Sequence, residues 1–179
     1  MRSQFAAIIL ASSCLFAAGV ASHASVTARK TAAPAASAGN SDLSAIKAAY
    51  KDRSYAVLTR SAGQMYGAAA PDFMFSDRSG AKINRGAAVQ RAGAALSTLG
   101  RVVGSPSDPQ ALTYTVDIMS VTFSGNQAIV IESGQVHALS VSDASAGAFA
   151  KAASALSGVY RDVWVRTSQG WRQKSATKL

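Results

Sequence analysis

Asp72 and Asp77 are the most closely spaced acids in this 179-residue chain, and they bracket two phenylalanines in the run Pro71-Asp72-Phe73-Met74-Phe75-Ser76-Asp77. A carboxylate set against apolar rings is a candidate general base, because loss of solvent raises its pKa toward the pH at which it can take a proton. Asp77, with Phe73 and Phe75 as the wall, is the residue on which such chemistry would fall. The same aspartate also suits a turn: it stands ahead of Ser79 and Gly80, where aspartates accept hydrogen bonds from the backbone that follows. Arg78 beside it favours solvent. His137 is the one histidine beyond residue 24, and it alternates with Gln135 and Leu139 on one face of an expected strand.

Other chemistries lack their residues. One histidine and no cysteine beyond residue 24 cannot build a zinc site of the usual kind. There is no G-x-S-x-G, no phosphate loop and no G-x-G-x-x-G, so hydrolysis by serine, nucleotide hydrolysis and dinucleotide binding have no support. No cofactor and no metal are expected. The net charge of +9, from 18 Lys and Arg against nine Asp and Glu, raises the question of a nucleic-acid partner. The basic residues are scattered singly, without a run of four and without interleaved aromatics, so nucleic acid is not an expected partner.

Composition divides the chain. Residues 1–24 carry Arg2, an apolar run over 5–20 and Ser22-His23-Ala24, with the small Ser22 and Ala24 at the positions a signal peptidase reads, the pattern of a cleaved secretory signal. Export to the periplasm or beyond is expected. The run is interrupted by Ser12, Ser13 and Gly19 and falls short of the ~20 residues that span a bilayer, so no membrane association is expected after cleavage. Lipid attachment at Cys14 is the alternative, weakened by the absence of a leading Leu in Ala11-Ser12-Ser13. Cleavage leaves a net charge of +8 and no cysteine, so the apolar core alone must stabilise the domain. Residues 25–41 are rich in Ala, Ser and Thr without periodicity and are expected to form a disordered linker. Residues 42–179 then make one domain of ordinary size.

Within that domain, Leu43, Ile46, Tyr50, Val57 and Leu58 recur at helical spacing and predict a first helix over 42–60, capped by Ser41 or Asp42. A short strand follows over 72–76, then a turn through Gly80, an extended piece over 81–84, and a second, alanine-rich helix from Gly86 to about Leu99. Residues 100–110 read as a loop. Two long strands over 111–123 and 127–141 are joined by Ser124-Gly125-Asn126, a strong hairpin signal. An insertion over 142–158 places Phe149, Ala152, Ala153 and Leu156 on one helical face. Strands over 159–167 and 171–176 close the chain. Helices first and strands afterwards argue an α+β fold with a sheet packed on helices.

In this order and spacing the chain resembles the nuclear transport factor 2-like superfamily, in the branch with SnoaL-like polyketide cyclases, ketosteroid isomerases and uncharacterised exported domains. The residues that carry the resemblance are Ile46 and Tyr50, Pro71-Asp72-Phe73 to Gly80, Arg85-Gly86, Gly125-Asn126-Gln127-Ala128, Asp162-Val163-Trp164-Val165 and Gly170-Trp171-Arg172. The resemblance implies a cone-shaped, curved antiparallel sheet wrapped around the N-terminal helices, an apolar cavity open at one end, and in many members a homodimer through the sheet. It also implies roles. Asp77 corresponds to the isomerase base, Tyr50 or Tyr55 with Asp162 to the oxyanion donors, and His137 to the histidine that works with an acid in the cyclases. Tyr50 matches only with a shift of about one helical turn. Ligand contacts are expected from Tyr55, Phe73, Phe75, Trp164 and Phe149. The insertion is expected either as a lid at the cavity mouth, with Phe149 and Leu156 facing in, or as a surface decoration. The function expected first is binding of a small apolar or amphipathic molecule by an exported domain. A cofactor-free isomerase or cyclase and a dimerisation or interaction module are the alternatives.

Overall fold

The structure is a computed structural model and describes residues 35–103 and 111–179, with the side chains of 35–38 excepted. The signal segment and the first part of the expected linker lie outside the described residues. Helix α1 covers Ala35–Leu58 and therefore starts seven residues before the expected boundary. Ala35, Ala36 and Ala38 are strong helix formers, which suits continuation of the helix through what composition alone marks as a tether. Asp42 is consequently inside the helix and not its cap. Its carboxylate accepts from Trp171 Nε1 at 3.1 Å and pairs with Arg166, fastening α1 to the end of the sheet.

A single-turn helix α2 (Ala62–Met65), capped by Ser61, leads into β1 (Ala69–Ser76) and β2 (Lys82–Asn84). Helix α3 runs over Arg85–Val103, longer than expected at both ends. Asn84 Oδ1 accepts from Ala87 N at 3.0 Å and supplies the cap. Gly100 is carried within the helix rather than ending it. Strands β3 (Leu112–Ser124) and β4 (Gln127–Ala138) form the long hairpin, with Gly125 at φ 56° in its turn. A bulge between Ile118 and Ser120 leaves Met119 unpaired and exposed. Helix α4 (Asp143–Leu156) fills the insertion, and β5 (Gly158–Thr167) and β6 (Gly170–Lys178) complete the chain.

The six strands lie in the order β2-β1-β6-β5-β4-β3 in one curved sheet. Every pairing is antiparallel except β1 with β6, so the sheet is mixed where a purely antiparallel one was expected. Topology explains the exception. After β2 the chain crosses as α3 to the far edge, and the β3-to-β6 meander then returns β6 beside β1 running in the same direction.

Helices cover the face formed by alternate strand residues. In β4 these are Ala128, Val130, Glu132, Gly134 and Val136; in β5, Tyr160, Asp162 and Trp164. Ile46, Tyr50, Ala128, Val130, Trp164 and Trp171 form one apolar cluster under α1. Leu96, Leu99, Leu112, Ala152 and Leu156 belong to a second between α3, α4 and the β3–β4 hairpin. Small residues on α3 (Ala88, Ala92 and Ala95) let that helix approach its neighbours closely. No helix among the described residues is long and apolar enough to cross a membrane.

Candidate functional site

A cavity of about 400 Å³ opens between α3, α4 and the strands β1, β3, β5 and β6. Its walls are aromatic and aliphatic: Tyr66, Phe73, Phe75, Tyr114, Leu156 and Tyr160 all line it. Phe73 stacks edge-on against Tyr66 at 5.6 Å, and both Tyr114 and Tyr160 aim their hydroxyls at the Leu156 carbonyl, at 3.4 and 3.1 Å. The end of α4 is thereby tied to two wall residues. Such walls offer contact area to an apolar body, and the volume suits a small organic molecule.

The floor is polar and buried. Arg53 and Gln173 line it, and behind them stand Glu132 and Asp162, both without solvent exposure. Arg53 occupies the buried stripe of α1 between Tyr50 and Val57, while Glu132, Asp162 and Gln173 face it from β4, β5 and β6. The guanidinium donates to Glu132 Oε1 at 3.1 Å and to Gln173 Oε1 at 2.8 Å, and lies 3.6 Å from Asp162 Oδ2. Tyr50 donates to Asp162 Oδ2 at 2.8 Å and accepts from Trp164 Nε1 at 3.1 Å.

One cation faces two carboxyl groups here, and burial decides the outcome. Loss of solvent pushes Glu132 up to about 7 against the pull of Arg53. Asp162 is raised for the same reason, although Arg53 and the hydroxyl of Tyr50 favour its charged form. Burial alone would lower Arg53, but the two carboxyls outweigh it and hold the guanidinium firmly charged. Both carboxyls therefore hold a proton more tightly than they would in water, Glu132 up to about pH 7. Glu132 Oε2 and Asp162 Oδ1 accept no hydrogen bond, which leaves sites for that proton.

Gly134 belongs to this architecture because the Tyr114 ring crosses over it: a Cβ there would overlap the Tyr114 hydroxyl. Gly134→Ala is expected to lower unfolding stability by about 1–3 kcal/mol, the usual cost of overpacking, as read by urea denaturation. A change below a few tenths of a kcal/mol would mean the ring moves freely.

The residues singled out from sequence fall into three groups. Phe73, Phe75 and Asp77 line the cavity. Asp77 sits at its mouth and closes the turn: its Oδ1 accepts from the Ser79 hydroxyl at 2.6 Å, Ser79 N at 2.9 Å and Ala81 N at 3.2 Å. These bonds, the Ser79 hydroxyl first, hold its carboxyl below the usual range despite some loss of solvent. Tyr50 and Asp162 meet as an oxyanion pair would, but they bond to each other behind the floor and neither lines the cavity. Trp164 is likewise in the core, 1% exposed. Tyr55 points to solvent from α1, His137 is exposed on β4 facing away from Glu132, and Phe149 packs against the cluster between α3 and α4. From the insertion it is Lys151, Ser154, Ala155 and Leu156 that reach the cavity. Among the described residues no cluster of acidic, histidine or cysteine side chains could hold a metal ion.

Sequence reasoning passed over Arg53, Glu132 and Gln173, though each left a signal. Arg53 falls at helical spacing from Tyr50 and Val57, inside an otherwise apolar stripe. Glu132 shares the strand parity of Val130 and Val136, and Gln173 that of Trp171.

These features define an α+β fold of the nuclear transport factor 2-like, cystatin-like kind. It matches a nuclear transport factor 2-like protein with a cystatin-like fold from Novosphingobium aromaticivorans, with a TM-score of 0.55 and 16% identity over 80% of this chain and 84% of the other. A putative scytalone dehydratase from the same organism matches with a TM-score of 0.55 and 15% identity, over 79% and 85% of the two chains. The structure named LinA matches at 0.55 and 13%, over 79% and 86%. At such identities the likeness is one of fold. No protein-family model matches the chain, and no curated protein matches it.

Proposed function

We propose that this protein is an exported binder of a small amphipathic organic molecule, held in the cavity between α3, α4 and the sheet. The observation that carries the reading is the cavity itself: about 400 Å³ with aromatic walls over a floor of Arg53 and Gln173. The walls take the apolar body and the floor takes a hydrogen-bonding group. Export is supported by the signal-like composition of residues 1–24.

Ala155 offers a clean test, since it lines the cavity from α4 yet lies outside the buried core. Phenylnaphthylamine, a neutral aromatic probe that fluoresces on leaving water, is expected to bind saturably. Ala155→Trp is expected to weaken that binding about ten-fold or more by filling the opening, with the unfolding midpoint unchanged. Absence of saturable binding to the wild-type chain, or equal binding by the variant, would overturn the assignment.

Acid-base catalysis is the second reading. One similar structure is named a putative scytalone dehydratase, and Glu132, with its pKa near 7, stands directly behind the Arg53 that lines the cavity. In this reading Arg53 relays the charge state of the carboxyl pair to a bound oxygen, while Asp77, held at low pKa, is the weaker base. Turnover lost in Glu132→Gln and retained in Asp77→Asn would support it; the reverse pattern would return the role to Asp77.

A further inference from the structure

The charged residues of the cavity are distributed unevenly. Arg53, at the floor, is balanced by Glu132 and Asp162. Arg91 and Lys151 are exposed and, with the half-buried Lys178, lie at the opening, where Asp77 is the one carboxylate among the described lining residues. Asp77 offsets one of these charges: three hydrogen bonds within its own turn keep it ionised, and its other oxygen lies 4.0 Å from Arg91, which leaves the opening with a net positive charge.

Lys178 is held in place rather than waving in solvent. Its stem lies over Gly158, where a Cβ would come within 2.6 Å of Cε. Its Nζ donates to the Ser154 carbonyl at 2.7 Å and sits 5.7 Å from the centre of the Tyr160 ring. Loss of solvent, together with the charges of Arg78 and Arg91, lowers its pKa. A fixed ammonium beside like charges and against an aromatic wall is an arrangement an anion would relieve.

We propose that the cavity takes an organic anion, a carboxylate or sulfonate on an apolar body, whose head group is held by Lys178, Arg91 and Lys151 at the opening. The proposal rests on the binding function above and names its ligand class. The apolar body lies along Phe75 and Tyr160, and the inner end meets Arg53 and Gln173. Neutralising the opening is the source of preference, so affinity should fall as salt screens it.

Two probes with a common ring system separate this proposal from the binding reading. Anilinonaphthalene sulfonate carries the anion and phenylnaphthylamine does not. On the full chain the sulfonate is expected to bind about ten-fold tighter than the neutral probe, with that advantage shrinking as ionic strength rises. Lys178→Met should remove most of the advantage of the sulfonate over the neutral probe. Should that variant fold poorly, Lys151→Glu on the exposed side of α4 should do the same. Equal affinity for both probes, or an advantage untouched in folded Lys178→Met or Lys151→Glu, would overturn the anion while leaving the cavity as a binding site. Failure of both probes to bind would overturn both.

Discussion

Arg53→Met is expected to destabilise the fold by about 3–5 kcal/mol, or to abolish cooperative unfolding outright. Methionine keeps the apolar stem and removes the guanidinium, so most of the loss is electrostatic. Without the guanidinium, Glu132 and Asp162, both fully buried, face each other with no cation, and Gln173 Oε1 loses its donor. Breaking a buried ion cluster by removing one partner costs more than replacing the whole cluster. Combining Arg53→Met with Glu132→Gln and Asp162→Asn is therefore expected to recover much of the loss. Urea denaturation reads both. An Arg53→Met variant within about 1 kcal/mol of the wild type would show that water reaches the cluster and that the floor is not the closed site described.

Glu132→Gln is expected to flatten the dependence of stability on pH. The Glu132 pKa rises from 4.5 to about 7 in the folded state. Between those values the native chain holds a proton that the unfolded chain releases, so its contribution is full below about pH 4.5 and is lost as pH rises through about 7. At ~1.4 kcal/mol for each pH unit between the two values, the loss amounts to about 3 kcal/mol. Asp162, raised as well, acts in the same direction. Glutamine mimics the protonated acid and can still accept from Arg53, leaving Asp162 as the sole partner of the charge. The wild type should thus be less stable at about pH 8 than at about pH 5, while Glu132→Gln should differ little between the two and exceed the wild type at the higher pH. Parallel pH curves would remove Glu132 as the titrating group.

Much of the fold was legible because periodicity records burial. The stripe of Ile46, Tyr50 and Val57 marks α1, Gly125-Asn126 marks the hairpin, and Phe149, Ala152, Ala153 and Leu156 mark α4. Ends were less legible. Alanines at 35, 36 and 38 extend α1 by propensity into a segment whose composition resembles a tether, and α3 runs on through Gly100 beyond the anchoring Leu96 and Leu99. The parallel pairing of β1 with β6 depends on where α3 delivers the chain, which no local pattern records.

For the site, Phe73, Phe75 and Asp77 were legible as a cluster because they are adjacent in sequence. Tyr50 and Asp162 were legible only through resemblance. The cluster of Arg53 and Gln173 at the floor and Glu132 behind it joins residues 79 and 120 positions apart, and its members read individually as surface polar residues. What marks them is position: each stands at an inward point of an apolar pattern, where a charge must have a partner.

Entry of a small molecule into the cavity between α3, α4 and the sheet, as we propose, is read residue by residue in an amide chemical-shift map of the full chain titrated with phenylnaphthylamine. Saturable shifts concentrated at Tyr66, Phe75, Ala92, Tyr114, Leu156 and Tyr160 are the predicted result. Saturable shifts confined to the exposed side, around Met119, His137 and Leu139, or no shifts at all, would contradict it.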